Sequence, residues 1–222
     1  MIVGQQKPLD ELWDMIKGHK SVLVFGCNTC VAVCQQGGNK EAEVLASLLR
    51  MKATQEGVTI DIINGGIERQ CEHEFFESAQ EQIQNVEAIL STACGIGVQF
   101  MAEKYPDKHL YPGLNTTFLG AVEKFGLYTE RCQACGQCVL GITGGICPIS
   151  RCAKRLMNGP CGGSTKGKCE INKDLDCAWQ LIIDRLKTLN RMDDYEKVIP
   201  MKDWSTDRAG GPRKFVREDI QV

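Results

Sequence analysis

Histidine and the large aromatic residues are scarce in this chain of 222 residues, which has 3 His, 3 Trp and 4 Tyr. His19, His73 and His109 are scattered, no nucleophile–histidine pair is recognisable, and triad-type hydrolytic chemistry is excluded. An excess of one charge is lacking too. Twenty-six Lys and Arg stand against 28 Asp and Glu, a net charge of −2 with a pI near 6.0. No overall positive field draws the chain to nucleic acid or to an anionic membrane. Long apolar runs are missing: the uncharged stretches 21–39 and 132–150 approach spanning length but are filled with Cys, Gly, Gln, Asn and Thr, so no transmembrane helix is expected. The first twenty residues have neither a basic-then-apolar pattern nor a small-residue cleavage site, which makes the cytoplasm the expected compartment. Residues 141–145 lack the Lys-Ser/Thr of a phosphate-binding P-loop, and the spacing Cys27-x2-Cys30-x3-Cys34 is not that of a radical-enzyme motif.

Cysteine is what the chain has in abundance, 13 residues within an otherwise ordinary globular composition of 43% hydrophobic and 24% charged side chains. In a reducing compartment thiols at that density point to metal or clusters rather than disulfides. The first 128 residues read as alternating helix and strand. An amphipathic helix around Leu9–Lys17 precedes a β-branched strand, Ser21–Phe25, and a helix capped by Asn39 runs to Gly57. A second strand at Val58–Ile63 ends in the turn-like Asn64-Gly-Gly66, and a polar helix follows near Glu74–Gln84. A third strand at Val86–Ser91 leads to a helix near Ile96–Lys104, stopped by Tyr105-Pro106. That order predicts an α/β domain over 1–128, a small parallel sheet with flanking helices. Residues 129–192 form a second module, irregular and cysteine-rich, closed by a helix over Ala178–Met192. Residues 193–222, with Trp204 and Phe215, read as a tail suited to docking on a partner.

The cysteines fall into three groups. Cys27, Cys30 and Cys34 follow the first predicted strand, Cys71 comes after the second and Cys94 after the third, so all five are expected at one rim of the sheet, where open α/β folds bind ligands. Four thiolates suffice for a cubane, leaving one to spare. Cys132-x2-Cys135-x2-Cys138 is the triplet that opens bacterial ferredoxin sites, but the Cys147-Pro148 that should follow after three residues comes after eight. Cys147, Cys152, Cys161, Cys169 and Cys177 bring the module to eight cysteines in 46 positions, the ligand number of two cubanes. How they divide is left open. Zinc is the alternative, because four-thiolate sites with C-x2-C arms also hold structural zinc. The third cysteine at two-residue spacing, the Cys-Pro pair and the Gly-rich flanks favour [4Fe–4S] clusters, two in the module and a third on the rim.

The triplet, with Gly144-Gly-Ile-Cys-Pro-Ile149, Arg151-Cys-Ala-Lys154, Asn158-Gly-Pro-Cys-Gly-Gly163 and Gly167-Lys-Cys-Glu170, resembles the cysteine-rich C-terminal domain family of methylenetetrahydrofolate reductases. With the Gly26–Cys34 loop added, residues 20–190 resemble the MetV-type small subunits of acetogenic bacteria. The resemblance implies an electron-transfer subunit of methylenetetrahydrofolate reductase with no folate or flavin active site of its own. Its partner would be a flavin-containing (β/α)8-barrel subunit that reduces 5,10-methylenetetrahydrofolate to 5-methyltetrahydrofolate in the Wood–Ljungdahl pathway. The implied electron donor is ferredoxin or a larger redox assembly. The family is often labelled zinc-binding, which keeps a zinc-ordered docking subunit as the competing reading.

Overall fold

The run Ser21-Val-Leu-Val-Phe25 is apolar on both sides because it becomes the centre of a sheet covered on both faces. In the computed structural model, which describes residues 1–220, the strands are β1 (Ile2–Gln6), β2 (Ser21–Cys27), β3 (Asp61–Ile67), β4 (Ala88–Ser91), β5 (His109–Pro112), β6 (Leu114–Lys124) and β7 (Leu127–Cys132). The helices are α1 (Leu9–Ile16), α2 (Cys30–Val33), α3 (Asn39–Glu56), α4 (Gln80–Gln84), α5 (Gly95–Lys104), α6 (Pro148–Arg151), α7 (Ala178–Thr188) and α8 (Met192–Glu196). Two compact units result, Met1–Thr129 and Glu130–Val222. Of the expected tail at 193–222, residues 221 and 222 lie outside the described residues. No helix among those described is long and apolar enough to cross a membrane.

The first unit has the expected α/β character. β3, β2, β4 and β5 form a parallel sheet in that order, with Val22 opposite Ile62 on one side and Ala88 on the other. Val22 and Val24 pack with Leu12, Trp13 and Ile16 of α1 and with Leu45 and Leu49 of α3. Leu23 and Phe25 point the other way, onto Phe76, Ile83 and Met101. All four β2 side chains are fully buried, each worth about 1.5–3 kcal/mol relative to exposure. α3 stops where Gly57 takes up a left-handed conformation, φ 68°, a conformation that costs glycine nothing.

Several elements differ from the sequence expectation. The second parallel strand is Asp61–Ile67 rather than Val58–Ile63, and Asn64-Gly-Gly66 lies inside it rather than forming a turn. The glycines serve close packing there: a Cβ on Gly66 would overlap the Asn39 side-chain carbonyl, and one on Gly65 would overlap Gln82. The stretch expected as one helix near 74–84 is a 3-10 segment, His73–Ala79, followed by α4. A second sheet was not anticipated at all. It runs in the order β1-β6-β7, with β1 antiparallel to β6.

The second unit has little regular structure. Its apolar cluster consists of Cys177, Trp179, Ile182 and Leu186, on or beside α7, with a few half-buried neighbours. Between Cys132 and Cys177 lie only the four residues of α6 and two isolated bridges, Thr165 with Lys168 and Lys168 with Asp176. The closing helix expected to reach Met192 ends at Thr188. Asn190, at φ 54°, breaks it, and α8 begins at Met192.

Candidate functional site

In the first unit the chain leaves β2 for β3 on one side and returns to β4 on the other. The carboxyl ends of β2 and β4 therefore flank a topological switch point, the usual ligand position of such sheets. Cys27 is the last residue of β2, and Cys94 caps α5 just past β4. Cys71 is four residues beyond β3 and is brought back by its neighbour Gln70, which is fully buried. The Gln70 amide donates to the carbonyls of Phe25 and Gly26, both at 2.9 Å, and accepts from Ser91 Oγ at 2.6 Å. One side chain thus ties the ends of β2 and β4 to the segment carrying Cys71. Thr92 Oγ1 adds bonds to the carbonyls of Phe25 and Gly37.

The electrostatics follow that placement. Burial, and then the neighbouring Cys27 and Cys94, push the Cys71 thiol up. Three thiols this close repel as thiolates, so ionising the set calls for a cationic centre among them. Cys30 opens α2 and is half-buried. Cys34 is different: it is 2% exposed, its thiol donates to the carbonyls of Val31 at 3.3 Å and Gly4 at 3.8 Å, and burial pushes its pKa up. Its hydrogen-bonding needs are met by the backbone. Two of the three histidines, His19 and His109, meet ring to ring at 4.9 Å, with His19 Nε2 2.9 Å from Tyr111 Oη. They sit at the amino ends of the strands, away from the cysteines.

Four of the eight cysteines of the second unit come together. Cys152, Cys161, Cys169 and Cys177 line one enclosed void together with Trp179, Lys154 and Glu170. The void is about 20 Å3, room for one water, so a multi-atom group held by all four thiols needs more space than this arrangement leaves. Backbone N–H groups of Asn172 and Ile171 aim at Cys169 and hold its thiol below the usual range. Cys161 donates to Glu170 Oε2 at 3.5 Å, and Glu170 in turn pairs with Lys154.

The other four begin with the triplet. Ala134, at φ 51°, and Gly136, at φ 82°, turn the loop twice through left-handed conformations, so that the Ala134 N–H donates to Cys132 Sγ at 3.3 Å. Ser150 Oγ donates to the Arg131 carbonyl at 2.8 Å, drawing the Cys147–Ser150 turn to the start of the triplet. Residues that follow α8 cover the loop. Thr206 Oγ1 donates to the Cys135 carbonyl at 2.9 Å, the Asp203 N–H to Gln137 Oε1 at 2.7 Å, and Arg213 to the Ala134 carbonyl. Among the described residues no three His, Cys, Asp or Glu side chains close on one point as a single metal ion requires. Four-thiol sets with N–H groups turned towards sulfur do match the donor chemistry of iron–sulfur and zinc centres.

The reactivity of the metal-free thiols follows from these surroundings. Under limiting iodoacetamide near neutral pH, Cys169 should be alkylated early and Cys34 last of the thirteen, read by peptide mass spectrometry. Early labelling of Cys34 would contradict its burial.

Gln70, Thr92 and Lys202 left no signal in the sequence, because each bonds to backbone carbonyls, which leave no motif; Ser91 left none because its partner is Gln70. Comparison with known proteins adds one relation. Residues 111–205, somewhat under half of the chain, match a family model described as methylene-tetrahydrofolate reductase C terminal. No curated protein and no solved structure matches the chain. The stretch from β5 to just beyond Trp204, containing all eight cysteines of the second unit, is thus similar to the C-terminal domain of methylenetetrahydrofolate reductases.

Proposed function

We propose that the chain is the electron-transfer subunit of a methylenetetrahydrofolate reductase, of the MetV type. It would pass electrons through [4Fe–4S] clusters to the flavin of a (β/α)8-barrel partner that reduces 5,10-methylenetetrahydrofolate, with ferredoxin or a larger redox assembly as donor. The observation that carries this reading is that Cys152, Cys161, Cys169 and Cys177 line one void inside a stretch similar to that enzyme's C-terminal domain. One centre is assigned to Cys132, Cys135, Cys138 and Cys147, and the second to Cys152, Cys161, Cys169 and Cys177. A third, at the switch point, is assigned to Cys27, Cys30, Cys71 and Cys94, with Cys34, already bonded to the backbone, as the thiol left over.

A cluster bound at such a site supplies one-electron storage with little rearrangement. The chain's own residues do the rest. N–H groups near Cys132 and Cys169 stabilise negative charge on sulfur, and Trp179 and Ala178 wall the second site with apolar surface. Val198, Met201 and Phe215, exposed beyond α8, are the side chains assigned to docking on the partner.

The test is iron, zinc and acid-labile sulfide content of anaerobically purified protein, with an EPR spectrum of the reduced sample. About eight to twelve irons with matching sulfide are expected, and Cys161→Ser should remove about four of each. Stoichiometric zinc without sulfide would overturn the proposal in favour of a zinc-ordered docking subunit.

A further inference from the structure

The second unit buries an ammonium group without giving it a carboxylate. Lys202 is 5% exposed, and its Nζ donates to the Cys135 carbonyl at 3.0 Å, to the Asp203 carbonyl at 3.3 Å and to Thr206 Oγ1 at 3.3 Å. The ring of Trp204 lies 5.1 Å from it. The nearest acid in sequence, Asp203, turns its carboxylate to the N–H and hydroxyl of Ser205, at 2.9 and 2.5 Å. No ion pair to Lys202 exists among the described residues. A second cation, Arg213, donates to the carbonyls of Ala134 and Thr206. Two positive side chains thus meet the backbone of consecutive residues, 134 and 135, inside the Cys132–Cys138 loop.

A buried charge without a direct ion pair is costly; the Asp203 carboxylate acts on Lys202 only through space, and the loop that Lys202 contacts carries three thiols that are anionic when they ligate. We propose that Lys202 is the built-in counter-charge of the centre held by Cys132, Cys135, Cys138 and Cys147, and that it raises that centre's reduction potential. This rests on the electron-transfer reading above. Reduction adds one electron, taken from an external one-electron reductant, and no bond forms or breaks. The four-thiolate site gains one unit of negative charge, and the fixed ammonium favours that state. Carbonyl dipoles alone would not do so, since their oxygens face the lysine rather than the sulfurs. A lysine that served only to latch the loop would leave the potential where it is.

The experiment uses the full chain, purified anaerobically, as wild type, Lys202→Met, Lys202→Arg and Thr206→Val. Iron and sulfide are measured first. Each protein is then titrated stepwise with dithionite in the presence of redox mediators and followed by EPR. Lys202→Met should lower one midpoint so that the reduced-to-oxidised ratio at fixed potential falls about tenfold, about 59 mV for a one-electron couple. The other midpoints should stay in place. Lys202→Arg keeps the charge and should keep the potential. Thr206→Val removes a hydrogen bond to the same carbonyl without removing charge, and should also keep it. Loss of about four irons in the Met variant alone, with the Arg variant intact, would equally support a counter-charge. An unshifted midpoint in Lys202→Met, or the same shift or iron loss in Lys202→Arg, would overturn the proposal and leave the electron-transfer reading standing. Wild-type protein without iron and sulfide would overturn both.

Discussion

On the cluster-binding reading proposed above, stripping the metal from the purified chain should melt residues 130–220 and leave residues 1–129 folded. The two units differ in what they bury. The first has a sheet covered on both faces by two extensive clusters, with Trp13, Phe25, Phe76 and Met101 among its fully buried side chains. The second depends on Cys177, Trp179, Ile182 and Leu186, while ordering the long loops between Cys132 and Cys177 costs about 1–2 kcal/mol per residue in backbone entropy. Side chains alone do not offset that. Modules of this kind take their folding free energy from the metal, about 10–16 kcal/mol for structural zinc in small fingers. Limited trypsin digestion before and after oxidative chelation provides the measurement. The chelated chain should be cut rapidly at the exposed Arg155, Lys166 and Lys173, and a fragment ending near Arg131 should survive. Equal resistance of both halves after complete metal removal would show that the second unit holds itself together.

Gln70→Leu should destabilise the first unit by about 2–4 kcal/mol, because Ser91 Oγ and the strand-end carbonyls lose their partner in a fully buried place. Leucine fills a similar volume, so the loss is of hydrogen bonds and not of packing. Gln70→Glu should fare no better, since a carboxylate would face the two carbonyl oxygens that the amide now satisfies. The variant also releases the segment that carries Cys71, so on the proposed three-centre reading the iron content of the first unit should fall while that of the second is kept. Urea unfolding followed by tryptophan fluorescence gives the stability, and metal analysis of the Cys161→Ser and Gln70→Leu variants side by side separates the sites. An unchanged urea midpoint would mean that Cys71 is placed by something other than this amide.

What could be read from the sequence, and what could not, follows from where the signals reside. β2 was legible because an unbroken β-branched run without charge suits only a strand buried on both faces. β3 was displaced by a few residues because Gly65 and Gly66 resemble a turn, and only the closeness of Asn39 and Gln82 explains why glycine is needed inside a strand. β6 escaped notice because, of its eleven residues, only Leu114 is buried, which leaves no alternation to detect. The cysteine groups are read from spacing alone, and spacing leaves their division open; the eight-residue gap before Cys147 gives no hint that Ser150 returns to Arg131. Lys202 and Gln70 were invisible for a common reason: each acts on main-chain oxygens, which every residue type supplies.

The cover over the triplet has one further consequence, for the order of events during synthesis. Lys202 lies 67 residues downstream of the Cys135 carbonyl it binds, and Arg213 lies 79 beyond Ala134. A ribosome delivers the triplet first, then every other cysteine of the second unit, and only afterwards the two cations. The Cys132–Cys138 loop therefore emerges uncovered, and on the cluster-binding proposal it stays accessible for loading until its cover is made. A fragment ending just after α8 would keep all thirteen thiols and lack the residues that cover the loop.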